Sequence, residues 1–111
     1  SWFNKNPFKS IFWAAQGMAA ELTTGSLIKN VIKESGLNVS YLVVENKSSF
    51  FKKATGKIIF ECNQGKELQD LFNSFNQDNN NATIELKSVG VDSNNVKVSE
   101  FSFTWSLKVR S

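Results

Sequence analysis

A change of period at Gly36 constrains this chain more than any other feature. Upstream, from Pro7 to about Glu34, Ala, Leu, Met, Gln and Glu are in excess and no second proline intervenes. Asn6 is suited to cap a helix, Pro7 to occupy its first position, and Gly36 to stop it in a left-handed turn. The pattern therefore predicts one long helix over Pro7–Glu34. Gly17 with Ala14, Ala15, Ala19 and Ala20 gives that helix a thin waist. Small residues let another backbone approach closely, so a sheet is expected to wrap most of its sides. Thr23-Thr24-Gly25 lowers helix propensity and predicts a kink before the Leu27, Ile28, Val31, Ile32 face resumes.

After Gly36 the apolar residues recur every second position. Leu37 to Glu45, with Val39, Tyr41 and Val43 alternating against Asn38, Ser40 and Leu42, predicts a strand. Lys53 to Cys62, carrying Ile58, Ile59 and Phe60, predicts the next. Gly65 to Phe75 places Leu68, Leu71, Phe72 and Phe75 at helical spacing, a short amphipathic helix. A polar turn over 77–81 leads to two last strands, Ala82–Val91 and Val96–Val109. In the final strand Phe101, Phe103, Trp105, Leu107 and Val109 share one face, while Val96 and Val98 fall in the opposite register. A bulge near Ser99-Glu100 is expected to reconcile them. The layout is α+β: one curved antiparallel sheet around a central helix. The 111 residues make a single domain, with neither repeats nor a linker. A sheet face this aromatic on so short a chain predicts that a partner subunit covers part of it.

Composition removes several kinds of chemistry. Without histidine there is no Ser-His or Cys-His nucleophile pair and no imidazole metal ligand. Cys62 is the only cysteine, which excludes an internal disulfide and a cysteine-based zinc site, and a reduced, cytoplasmic compartment is expected. The net charge of +3 is spread along the chain, with no run longer than Lys52-Lys53, so nucleic acid is not an expected partner. Ser1-Trp2-Phe3-Asn4-Lys5 lacks the apolar core of a secretion signal. Gln16, Glu21, Thr23 and Thr24 interrupt the apolar stretch from Ser10 to Ile28, so no membrane span is expected. The Asn-x-Ser/Thr triplets at Asn38, Asn46 and Asn81 are taken as chance in an Asn-rich chain.

Glu21 is the only charged residue between Lys9 and Lys29, inside the most apolar stretch. An ionised carboxylate is costly to bury unless paired or hydrogen-bonded. It is therefore either on a wet stripe of the helix, neutralised by its surroundings, or held for chemistry.

The combination of Asn6, Phe12-Trp13-Ala14, Glu21-Leu22 and Gly25, followed by Phe50-Phe51-Lys52-Lys53-Ala54 and Gly56-Lys57, resembles the hot-dog fold of acyl-CoA thioesterases. Within it, the chain is most similar to a thioesterase-like group, domain of unknown function 4442. In the branch similar to the phenylacetate-pathway enzyme, an Asn is followed six residues on by His-Gly-Gly, and nine after that His by Asp or Glu. Asn6, Phe12-Trp13-Ala14 and Glu21 keep that spacing. Two departures accompany the resemblance. Phe12-Trp13-Ala14 replaces His-Gly-Gly, and the helix and strand that precede the central helix in the family have only Ser1 to Lys5 in their place. Either the chain is a fragment or the missing strand comes from elsewhere.

The resemblance implies a thioester hydrolase acting at a homodimer interface, or in a dimer of dimers. Glu21 would be general base or nucleophile, working with the Asn and helix cap of the other subunit. The Trp13 N–H would polarise the thioester carbonyl. Asn6 would hold a carbonyl or water, although N-capping alone explains it. Phe12, Trp13 and Met18 would line an acyl pocket, although aromatic residues at this spacing also make core. Ala14 and Gly17 are grouped with them as substrate-binding. Gln16 would orient a water, or else lie on the wet stripe. Lys52 and Lys53, with Lys57, would meet the phosphates of coenzyme A, or simply solvate a strand edge. No cofactor is expected beyond the coenzyme A moiety of a substrate. The alternatives are a non-catalytic acyl- or lipid-binding domain on the same fold and a structural dimerisation module. The space around Trp13 separates them: open beside Glu21 for an enzyme, plugged for a structural module.

Overall fold

A computed structural model describes the backbone of residues 7–53 and 56–110 and the side chains of residues 14–53 and 56–110. Helix α1 runs unbroken over Pro7–Ser35. Its stop is built as the sequence predicts: Gly36 takes φ +73°, and its N–H donates to the Ile32 carbonyl at 3.1 Å. Ser35 closes the end, donating its hydroxyl to the same carbonyl and accepting the Leu37 N–H. The helix continues through Thr23-Thr24-Gly25. Both threonines satisfy their hydroxyls inside the helix, Thr23 on the Ala19 carbonyl and Thr24 on that of Glu21, each at 2.9 Å.

Four strands follow, β1 (Val39–Phe50), β2 (Ile59–Glu61), β3 (Asn81–Val91) and β4 (Lys97–Val109), with helix α2 (Gly65–Asn73) between β2 and β3. They form one open antiparallel sheet in the order β1-β4-β3-β2. The alternation read in β4 is observed: Phe101, Phe103, Trp105 and Leu107 are buried on the face that meets the helices, beside Ile84 and Leu86 of β3. Ala20, Ile28 and Val31 of α1 and Leu68 and Phe72 of α2 complete one core. Residues with the opposite parity, such as Thr83, Ser102, Thr104 and Ser106, point to the uncovered face, where small polar side chains suit a solvated sheet.

Three expectations change. The strand expected over Lys53–Cys62 shrinks to Ile59–Glu61, because only these residues pair with β3, and Gly56 turns the chain at φ +74°. Beyond Glu61 the exposed edge of β3 is met by a side chain instead: Gln64 donates its amide to the Glu85 carbonyl at 3.0 Å and accepts the Lys87 N–H at 2.7 Å. The bulge falls slightly earlier than Ser99-Glu100, at Gly90/Val91 opposite Lys97–Ser99, and a second interrupts β1 between Val43 and Glu45. Last, the sheet covers one flank of α1 and leaves another open: Met18 is 66% and Leu22 67% exposed.

Candidate functional site

Glu21 lies on the open flank of α1, exposed to solvent. Among the described residues none encloses this carboxylate, which lies on the wet stripe of the helix. That stripe is nevertheless unusual. Glu21 borders an open recess of about 440 Å³ with Met18, Leu22, Gly25, Ser26 and Lys29 of α1, floored by Tyr41 of β1 and Trp105 of β4. Tyr41 and Trp105 are tilted against each other at 49° with centroids 5.7 Å apart. The floor is fixed from below. The Trp105 indole N–H donates to Thr24 Oγ1 at 3.1 Å, and Gly25 lies against the same ring. The Thr23-Thr24-Gly25 patch thus serves as the seat of a tryptophan.

The other predicted site residues divide. Asn6, and the side chains of Phe12 and Trp13, lie outside the described residues, as do Ala54 and Thr55. Ala14 is exposed on the helix surface. Gln16 is a correction: it lies not on the wet stripe but in the core, 6% exposed, where its Oε1 accepts the Ser99 hydroxyl at 2.8 Å. A buried amide needs such a partner, and Ser99 provides it. Gly17 faces inward as well, packed against the Phe101 ring. Lys52 and Lys53 are exposed just beyond β1 and do not border the Glu21 recess; Lys52 Nζ is 3.4 Å from Asp92 Oδ2. The structure therefore joins Glu21 with Met18 and separates both from Gln16, Gly17 and the lysines.

Tyr41, Trp105 and Lys29 were not among the expected site residues. Tyr41 and Trp105 each belong to an inward-facing alternation, which signals core and carries no hint that their ring edges reach a surface recess. Cys62 is half-buried. Burial pushes its thiol up, opposed by the backbone N–H groups of Gln64 and Lys87, which leaves it a poor nucleophile. A second open recess, about 430 Å³, lies at the far end of the sheet between Leu37, Phe75 and Arg110, and contains no predicted residue. Among the described residues no group of three or more acidic or cysteine side chains is placed to hold a metal ion, and no helix is long and apolar enough to cross a membrane. What the Glu21 recess offers is one carboxylate, one ammonium and an aromatic floor, open on one side.

Compared with known protein families, with curated proteins and with solved structures, the chain matches none.

Proposed function

We propose that this chain is an assembly domain that pairs with a second copy through its α1–β1 flank, in a hot-dog-like arrangement with two helices side by side over a continuous sheet. One relationship carries the reading. Gly25 packs on Trp105, and Trp105 pairs with Val43 near the middle of β1. The centre of the open helix flank and the centre of the edge strand therefore lie at one level. A two-fold axis through that level pairs β1 antiparallel with its copy and crosses the helices at Gly25 and Ser26, where small side chains allow close approach. Glu21 and Lys29 sit four residues on either side, about 6 Å along the helix. Each Glu21 then comes level with Lys29 of the other copy, so the flank complements itself in charge. The bulge at Val44 divides the shared ladder into two short runs, Val39–Val43 and Glu45–Phe50, one on each side of the axis. Burying Met18 and Leu22 supplies apolar contact.

Sedimentation velocity at micromolar concentration tests this. A dimer is expected, weakened by Glu21→Lys and regained in the double variant Glu21→Lys/Lys29→Glu, because the swap restores opposite charges across the axis. A monomeric wild-type protein rejects the reading.

A thioester hydrolase is the second reading, favoured by the apolar lining of the recess that a second copy would close over Glu21. Enclosure between two copies is what would make this carboxylate a usable base. Hydrolysis of short, medium, long or aryl acyl-CoA by the wild type, reduced roughly 10²-fold or more in Glu21→Gln, is the outcome it requires. Acyl-CoA binding without turnover would favour the acyl-binding alternative.

A further inference from the structure

One end of the sheet gathers exposed aromatic and apolar residues together with several lysines. Phe50 and Phe51 close β1 there, 46% and 55% exposed, followed by Lys52 and Lys53. Lys97 opens β4 at the same end, with its ammonium 4.8 Å from the centre of the Phe51 ring. Ile59 and Val96, also exposed, lie beside the same strand ends. The bonds of Gln16 to Ser99 and of Thr24 to Trp105 together fix the direction of α1, so the helix backbone runs from its start at Pro7 away from this end. By sequence, residues 50–57 hold two phenylalanines and three lysines, with no Asp or Glu. Asp92 offsets Lys52, and Glu100 offsets Lys97, while among the described residues neither Lys53 nor Lys57 forms an ion pair.

From this we infer that the end of the sheet carrying Phe50, Phe51, Lys53 and Lys57 is a contact surface for an anionic lipid bilayer, to which it binds peripherally. Exposed phenylalanine flanked by lysine suits the boundary between headgroups and acyl chains, where the ring is taken out of water while the ammonium groups stay among phosphates. A soluble polyanion would use the lysines but would leave the Phe51 ring in water.

The test is co-sedimentation with vesicles of phosphatidylcholine alone and of phosphatidylcholine mixed with phosphatidylglycerol. The wild-type chain is expected to sediment with the anionic vesicles and not with the neutral ones, less so as salt is raised. Lys53→Gln and Lys57→Gln should each lower the partition coefficient about five-fold. Phe51→Ser should lower it about ten-fold or more. All three positions are exposed, and an unchanged circular dichroism spectrum verifies that each variant is folded. Failure of the wild type to bind anionic vesicles at low salt overturns the inference. So does binding that none of the three substitutions alters, and so does retention on heparin without vesicle binding, which points to a soluble polyanion.

Discussion

The indole N–H of Trp105 donates to the hydroxyl of Thr24 at 3.1 Å, across 81 positions of sequence, and both residues are buried. Thr24 donates its own hydroxyl to the Glu21 carbonyl, so one threonine links the floor of the recess to the helix that borders it. Thr24→Val preserves the shape of the side chain and removes the acceptor. The indole N–H is then left unpaired in the core, at a cost of about 1–3 kcal/mol. Urea unfolding should register that loss, with Thr24→Ser close to wild type. A valine variant as stable as the wild type would show that the bond contributes nothing.

Much of the fold is legible in the chain, and the recess is not. The strict alternation from Phe101 to Val109 names the inner face of β4 without ambiguity, because one face of a half-buried strand must be apolar. Gly36 announces the end of α1 because a left-handed turn there favours glycine. The rotation of α1 about its axis is harder. Ala14, Ala15, Ala19 and Ala20 are small enough to fit either side, so the sequence around Gln16 does not say which stripe faces the sheet. The deciding partner, Ser99, lies 83 residues away. Met18 and Leu22 look like core by type and are exposed on the flank of α1 that the described elements leave open. A lone charge in an apolar stretch directs attention to Glu21, but its surroundings come from β1 and β4, which its own neighbours in sequence do not specify.

Gly90 faces the core at the point where β3 meets β2 and β4. A Cβ there would lie 2.6 Å from Cε1 of Phe60 and 2.9 Å from both Cζ of that ring and the Ser99 hydroxyl. Phe60 is itself held edge-on against Phe101, with centroids 5.9 Å apart. Gly90→Ala therefore forces a ring or a strand to move, and overpacking of this kind costs about 1–3 kcal/mol. A lower midpoint in thermal or urea unfolding is expected. Phe60→Leu in the alanine background should recover part of the loss by making room. A Gly90→Ala protein with wild-type stability would mean that the ring yields freely.

Asp92 orders the turn between β3 and β4. Its Oδ1 accepts the backbone N–H groups of Asn94 and Val96 at 2.9 and 3.0 Å. The Val96 N–H does most to hold its carboxyl below the usual range; partial desolvation opposes this, and the Asn94 N–H and Lys52 add to the lowering. The sign follows from linkage. The folded carboxyl gives up its proton more readily than the unfolded one, so its contribution is full above the ordinary aspartate value of about 3.9. The contribution fades as pH falls through the folded value. Asp92→Asn should accordingly be less stable than the wild type at neutral pH and show a shallower loss on acidification, measured as urea midpoint against pH. Parallel acid limbs for the two proteins would remove Asp92 as the source.

The two surfaces proposed for this chain make a joint prediction. β1 runs from Val39 near one end of the sheet to Phe50 at the other, and pairing it antiparallel with its copy sends the two Phe50 ends in opposite directions. A dimer would carry one lipid-binding end at each pole, and the reach between poles exceeds the length of a single β1 strand. The two ends point away from each other along the strands, so a dimer that binds one vesicle by one end presents its second end to another. Mixing the protein with phosphatidylglycerol-containing vesicles should therefore raise turbidity. Glu21→Lys, which weakens the pair while leaving the Phe50 end unaltered, should keep vesicle binding and lose the turbidity. Phe51→Ser should lower both. Turbidity that persists in a demonstrably monomeric Glu21→Lys protein would mean that the vesicles are joined by some route other than the two-fold pair.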